Sequence, residues 1–380
     1  PMPPNQNWKP ASTDELTRAI FERATPLFFG NATQLSPDPM WNSRYFPLLV
    51  RMVDVVERVG RSRSLPFRCV RSPHGPTIRA DDLGQSISEL LSVPAWQLRQ
   101  TLALYDVDPR IVLFWDEAER RGLTNVWQAQ PWTPESHILA STDALNGFVT
   151  GVRQRYGRKG FRSKVDLHIQ AAHKGFTALK IYLLGVLDCF PRLLPITLDL
   201  SYREGAPGGL NESPQSLKIT SAHIKSLAAH VRKVYGDAVV GSAWSQDAMV
   251  GTGHVVHLLL LLNDVDDNEA FALPREVGRT WVQEITGGEG CFYENLGAQD
   301  PRFSFRGLTP EDRRYNPVSE QIRRSAIYMR STDRFVALKR LPSVQAHGMG
   351  GSPARRKAPP PTTQFPFPQV AGSSPWAGFL

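Results

Sequence analysis

Side chains able to do chemistry gather in the second half of the chain. His254 and His257 lie three apart in HVVHLLLLL, an apolar run of strand length. Positions i and i+2 of a strand share a face, so His257 sides with Val255 and His254 points the other way unless a bulge intervenes. Gly253, just before, permits such a bulge. Asp247 ends the preceding run AVVGSAWSQD, and a turn through Gly251-Thr252-Gly253 folds it back toward both histidines. A carboxylate with two imidazoles suits a divalent cation such as Mg²⁺ or Mn²⁺, which could polarise a phosphoryl oxygen. The plain alternative is a pair of hydrogen-bonded core histidines. A nucleophile lies further on. In the stretch 318–330, Ile322, Ala326 and Met329 mark the buried side of a helix, and 100° per residue sets Tyr328 off that side, near Arg324 and Ser331. A tyrosine serves as a covalent nucleophile when its phenolate is stabilised, and Arg324 and Arg330 would do that while holding a phosphate. The plain alternative here is a tyrosine at the edge of an amphipathic helix.

Phosphate is also what the charge pattern suits. The net charge is +8, and it is uneven. Residues 152–182 carry eight Lys/Arg against the single acid Asp166, residues 302–340 carry ten against four, and Arg355, Arg356 and Lys357 add a basic triplet. Stripes of this kind neutralise a polyanion and release its counterions. Arg153, Arg155, Arg158, Lys159, Arg162, Lys164 and Arg323 are the candidate DNA contacts. A solvated basic face is the plain reading of either stripe alone.

The elements that must position these groups follow from periodicity. Residues 1–40 are a loose, proline-rich segment in which Ser12-Thr13-Asp14-Glu15 forms a capping box for a short helix to about Ala24. Residues 41–130 are mostly helical: 43–59 with Phe46, Leu49, Val50, Val53 and Val56 on one side, then short helices at 84–92 and 94–105. Residues 60–80 are a loop or short strands, and Val107 to Phe114 fits a strand or a buried turn equally. Residues 131–345 form the second block. Its expected order is a helix capped at Ser141-Thr142, a helix at 165–189, a strand LLPITLDLSY at 193–202, a helix capped by Thr220 and ended by Gly236, strands at 238–244 and 254–262, a helix at 268–286 broken near Pro274, irregular chain at 287–317, the helix 318–330, and extended chain at 336–341. The strand 254–262 is apolar on both sides, which marks a central strand covered on both faces. The class expected is α+β, an antiparallel central sheet flanked by helices. Residues 346–380 are a disordered Pro-rich basic tail.

Composition narrows the function classes. Hydrophobic residues make up 41% and charged residues 21%, enough for a globular core. Three scattered cysteines make neither a disulfide framework nor a zinc knuckle. No apolar run reaches membrane-spanning length, and PMPPNQNWKP lacks a signal peptide's apolar core. The expectation is a cytoplasmic protein with no membrane partner, and the initial Pro1 suggests a fragment or processed product.

The ordered set of motifs from about 140 to 340 resembles the inovirus replication-protein family (phage gene product two), also described as the YagK/YfjJ C-terminal domain family. It is carried by ALNGFVTGVR (144–153), LDLSY (198–202), AVVGSAWSQD (238–247), HVVHLLLLLN (254–263), TWVQEI (280–285), GCFYEN (290–295) and AIYMRSTDRF (326–335). The family is similar to the HUH replication initiators. The resemblance implies a sheet bearing a metal-binding His-hydrophobic-His pair and a helix bearing the nicking tyrosine. That tyrosine attacks a DNA phosphodiester, forms a 5′-phosphotyrosyl bond and frees a 3′-OH that primes rolling-circle synthesis. His257 takes the second histidine's place, Val255 stands where the first is expected, and His254 is its adjacent substitute. Asp247 matches an acidic position, and Tyr328 a Tyr-x-x-Lys pattern whose lysine is Ser331 here, with Arg330 supplying charge.

Three functions compete. The first is a metal- and tyrosine-dependent nicking protein of a phage, plasmid or integrated element, with DNA as single strand or origin hairpin and host replication proteins as partners. The second is a non-catalytic DNA-binding relative. The third is a metal-dependent hydrolase that uses Asp247, His254 and His257 without Tyr328. Convergence of both histidines on Asp247 favours catalysis; opposite faces favour binding alone.

Overall fold

The computed structural model describes residues 11–12, 15–16, 18–19, 39–73, 75–93, 98–99, 102–123, 135–190, 193–203, 205–206, 213–249, 253–263, 267–294, 318–339 and 344–350. The basic positions 302–317, most of the expected helix 94–105 and the tail from 351 lie outside them.

The chain is mixed helix and strand, built on a five-stranded antiparallel sheet with flanking helices. Its strands are β4 (Leu193–Tyr202), β5 (Val239–Met249), β6 (Gly253–Asn263), β7 (Gly290–Glu294) and β9 (His347–Met349), in the order β7-β4-β6-β5-β9. The run HVVHLLLLL is thus the central strand. Pro195 is tolerated in β4 because β7 pairs with that strand only over Leu198–Tyr202, so no ladder bond is asked of its missing N–H on that side.

Alternation along the strands makes two cores. On one face Leu198, Leu200, Val256, Leu258 and Leu260 meet Ile224, Leu227 and Val231 of helix α6 (Pro214–Tyr235) and Val277 of α7 (Asp267–Thr280). On the other, Leu259, Leu261 and Ala243 meet Leu179, Leu183 and Val186 of α5 (Lys159–Cys189) and Ile322, Ala326 and Met329 of α8 (Val318–Arg330).

A third core joins the two halves of the chain. It gathers α1 (Pro39–Arg61), the hairpin β1 (Phe67–Ser72) and β2 (Gly75–Ala80), α2 (Asp82–Leu91), α3 (Pro109–Arg120) and α4 (Glu135–Tyr156). Phe335, Val336 and Leu338 also belong to it, because β8 (Val336–Leu338) pairs antiparallel with β3 (Tyr105–Val107). Phe148 at its centre meets Phe114 edge-on, with ring centroids 5.1 Å apart.

Several boundaries differ from the sequence expectation, each for a local reason. The ambiguous stretch 107–114 is the end of β3 followed by α3: Asp108 caps the helix by accepting from the Arg110 N–H, and Pro109 fills the first helical position, where its absent N–H costs nothing. Residues 60–80 hold the β1–β2 hairpin. Thr142 and Thr220 are not caps. Their hydroxyls donate back to Ile138 O and Ser216 O inside helices that start earlier, α4 at Glu135 and α6 at Pro214 under a Ser213 cap. The expected irregular chain at 287–317 contains β7, held by its register with β4.

Because α4 and β8 complete the third core, a fragment of residues 131–345 strips the cover from Phe148, Val149, Val152, Phe335 and Val336. The expected outcome is a fragment that binds a hydrophobic dye and shows no cooperative calorimetric transition, while the full chain melts cooperatively. A sharply melting fragment would show that this core is dispensable.

Candidate functional site

β6 sets its two histidines on opposite faces; the register with β5 is unbroken through this part of the ladder. The bulge that would have brought them together is absent there: Ala248 pairs with His254, Asp247 with Val255, Gln246 with Val256 and Ser245 with His257. The irregularity in β5 falls at Val239–Gly241 instead, far from the histidines.

On the α8 face, polar side chains line up across three adjacent strands: Asp199 and Ser201 on β4, His257 on β6, Ser245 and Asp247 on β5. All are buried. Asp199 and His257 are directly opposite in the β4–β6 ladder, and His257 Nδ1 lies 2.5 Å from Asp199 Oδ1. An ionised carboxylate can only accept, so Nδ1 carries the proton. Tyr328 on α8 donates its O–H to Asp199 Oδ2 at 2.8 Å. The Tyr328 and His257 rings meet edge-on, centroids 5.0 Å apart at 87°. On its far side His257 Nε2 faces Asp247 Oδ2 at 3.4 Å, and Thr332 Oγ1 lies 3.5 Å from both oxygens of Asp247. The imidazole thus lies between two buried carboxylates, hydrogen-bonded to one and 3.4 Å from the other. The result is a buried polar chain in which Tyr328 and His257 both hydrogen-bond Asp199 and Asp247 lies beyond His257 Nε2.

Tyr328 is 3% exposed, which corrects its expected place off the buried side of the helix. α8 runs between the sheet, α5 and residues near the N-terminus, so more than one stripe of it is covered. Arg324 and Arg330 are held elsewhere than at the Tyr328 hydroxyl. Arg324 Nε lies 3.4 Å from Glu320, and Arg330 Nε pairs with Asp333 at 2.7 Å. Arg330 lies across α5 where Gly175 leaves room; a Cβ there would stand 1.9 Å from the guanidinium.

His254 belongs to the other core. Ser216 Oγ donates to Ser213 O at 2.8 Å, so it accepts from His254 Nε2–H at 2.9 Å. Burial strips water from the charged form and pushes the His254 pKa down to about 4. The expected ligand set Asp247, His254 and His257 is therefore split by the sheet itself. Among the described residues no three His, Cys, Asp or Glu side chains are grouped to hold a metal ion. The donors do not fit Mg²⁺ or Mn²⁺ as expected.

The candidate DNA contacts divide. Arg153 donates to Ser64 O, and Arg155 pairs with Asp116 and Glu117, which tie α4 to the third core. Arg323 is engaged by Glu320 and Glu15. Arg158, Lys159, Arg162 and Lys164 are exposed at the start of α5, whose first turn holds no acid. Among the described residues no helix is long and apolar enough to cross a membrane.

In comparisons with family models, curated proteins and solved structures, nothing matches this chain.

Sequence reasoning missed Asp199 and Thr332. A signal for Asp199 existed. Thr197, Asp199 and Ser201 alternate with leucines in a strand that neighbours the central one, and a carboxylate on an enclosed face requires donors.

The buried neutral His254 predicts acid sensitivity. With its folded pKa near 4 and an unfolded value near 6.5, the unfolded state binds the extra proton between those values. Stability is then full above about pH 6.5 and falls as pH drops toward 4, by about 3 kcal/mol for this group. Urea unfolding across that range should show the decline, and His254→Leu should flatten its share of it. An unchanged slope in the variant would refute the assignment.

Proposed function

We propose that this chain is a replication-initiator-like DNA nicking protein of a phage, plasmid or integrated element, with an HUH-related sheet and Tyr328 as its nucleophile. The observation that carries the reading is the contact of Tyr328 O–H with Asp199 beside the edge of His257 on the central strand. The ordered motifs noted in the sequence point the same way.

The chemistry follows from the polar chain. Tyr328 passes its proton to Asp199 Oδ2 and its oxygen attacks the phosphorus of a DNA phosphodiester. The Tyr–O–P bond forms as the P–O3′ bond breaks, and the leaving 3′-oxygen takes a proton from His257 Nε2. Asp247, on the far side of the ring, keeps that imidazole charged and oriented. The DNA path starts at α5. Arg158, Lys159, Arg162 and Lys164 crowd the positive end of a helix dipole, where cations cost helix stability, so a bound polyanion is the natural compensation.

A second reading, DNA binding without chemistry, is favoured by one observation: His254 lies on the face opposite His257, so the expected metal pair is not made.

One experiment separates them. The full chain is incubated with a labelled single-stranded DNA pool tiling the element's intergenic regions, in EDTA and in Mg²⁺, and denaturant-stable protein–DNA adducts are counted. The nicking reading expects an adduct that Tyr328→Phe abolishes and Asp199→Asn lowers by roughly 10²–10⁴-fold. Salt-sensitive binding with no adduct supports the second reading. Under both, Arg162→Gln and Lys164→Gln should each lower the slope of log affinity against log salt by about 0.7; unchanged slopes would remove α5 from the DNA path.

A further inference from the structure

What covers Tyr328 from outside is a short stretch near the N-terminus. Ala19 is fully buried against Ile327 and Tyr328, with Ala11, Leu16 and Phe176 packed around them. The stretch is locally ordered by the capping box expected from Ser12 and Glu15: Ser12 N–H donates to Glu15 Oε2 at 2.9 Å, and Glu15 N–H donates to Ser12 Oγ at 3.1 Å. The second carboxylate oxygen of Glu15 accepts from the Arg323 guanidinium. Burial works to raise the Glu15 carboxyl, but the hydrogen bonds from Arg323 and Ser12 outweigh it and hold it below its ordinary value.

These contacts share one pattern. A carboxylate sits on an arginine one helical turn from Ile327, and small apolar side chains lie against the tyrosine. A DNA strand reaching Tyr328 would need the same two things: a phosphate on a nearby cation, and an apolar sugar or base beside the ring. Arg323 and the outer face of Tyr328 cannot serve both occupants at once.

We infer that Glu15, Leu16 and Ala19 compete with single-stranded DNA for this face of α8, and that Tyr328 is reached only when they leave. The inference rests on the DNA reading above but not on nicking, since a binding-only protein would show the same competition. Among the described residues its contacts with α8 include the Glu15–Arg323 ion pair and apolar packing of Ala19 on Ile327 and Tyr328.

The test uses the full chain with Glu15→Lys and, separately, Ala19→Asp. Tyrosine nitration is mapped by mass spectrometry, and binding to a fluorescent oligothymidylate is followed by anisotropy. Both variants should nitrate Tyr328 roughly tenfold faster and bind the oligonucleotide roughly tenfold more tightly, a shift the anisotropy titration resolves. Ala19→Asp adds negative charge, so tighter binding by it cannot come from simple attraction. Glu15→Lys combined with Arg323→Glu restores the ion pair and should return nitration to the slow rate. The buried Tyr105 and Tyr202 are internal controls. Unchanged nitration of Tyr328, or a parallel rise at Tyr105 and Tyr202, overturns the cover. Faster nitration with unchanged binding overturns the competition. Adduct formation, read in the separate assay, decides nicking independently.

Discussion

A carboxylate enclosed in the middle of a sheet must be given donors, and Asp199 sets that requirement for the whole second half of the chain. β4 is flanked by strands on both sides and covered by helices on both faces, so water is not the donor at hand. The β4–β6 register puts His257 directly opposite, and α8 is docked so that Tyr328 supplies the second hydrogen bond. Leaving either oxygen unmet would cost several kcal/mol, more than most single contacts in a core contribute. The register of β6, the position of α8 and the burial of Tyr328 are thereby linked. The same enclosure orders a polar chain with a hydroxyl at one end and a second carboxylate at the other.

The central strand serves two environments with one short sequence. His257 and His254 differ in position by three, and alternation sends one to a charged face and the other to an apolar one. On the polar face the ring lies between two carboxylates. On the apolar face, with a serine as its hydrogen-bond partner, the ring is stable only when neutral. Identical side chains thus acquire opposite surroundings from nothing more than parity along a strand.

How much of this could be read from residues alone depends on how local each cause was. HVVHLLLLL announced a covered central strand, and the Ser12–Glu15 capping box and the helix bearing Tyr328 were explicit in spacing. An antiparallel central sheet with flanking helices was expected from those periods, and the five-stranded sheet agrees with it. β7 and β9 were not legible, because short strands are fixed by the ladder they join. Thr142 and Thr220 looked like caps because a hydroxyl ahead of an apolar period is ambiguous between starting a helix and bonding back within one. At the site, Tyr328, His257 and Asp247 were named from the sequence, but their arrangement was not. The turn between β5 and β6 was expected to fold Asp247 toward both histidines, and regular pairing left only one on its side. The arginines were misjudged because a guanidinium's partner is settled by neighbours such as Glu320 and Asp333, whose side-chain geometry spacing does not give.

The strand that follows Tyr328 has its own significance. Within ten residues of the tyrosine the chain leaves α8, turns through Thr332–Arg334 and enters β8, which is locked to β3 and buried in the helical core near the start of the chain. The tyrosine helix is therefore tethered at its end to a body that carries no part of the polar chain. A displacement of that body would reach the hydroxyl through the short helical turn at Thr332–Arg334 that joins β8 to α8. The helical block is in this sense a lever arm: whatever grips it acquires mechanical purchase on Tyr328 from a distance.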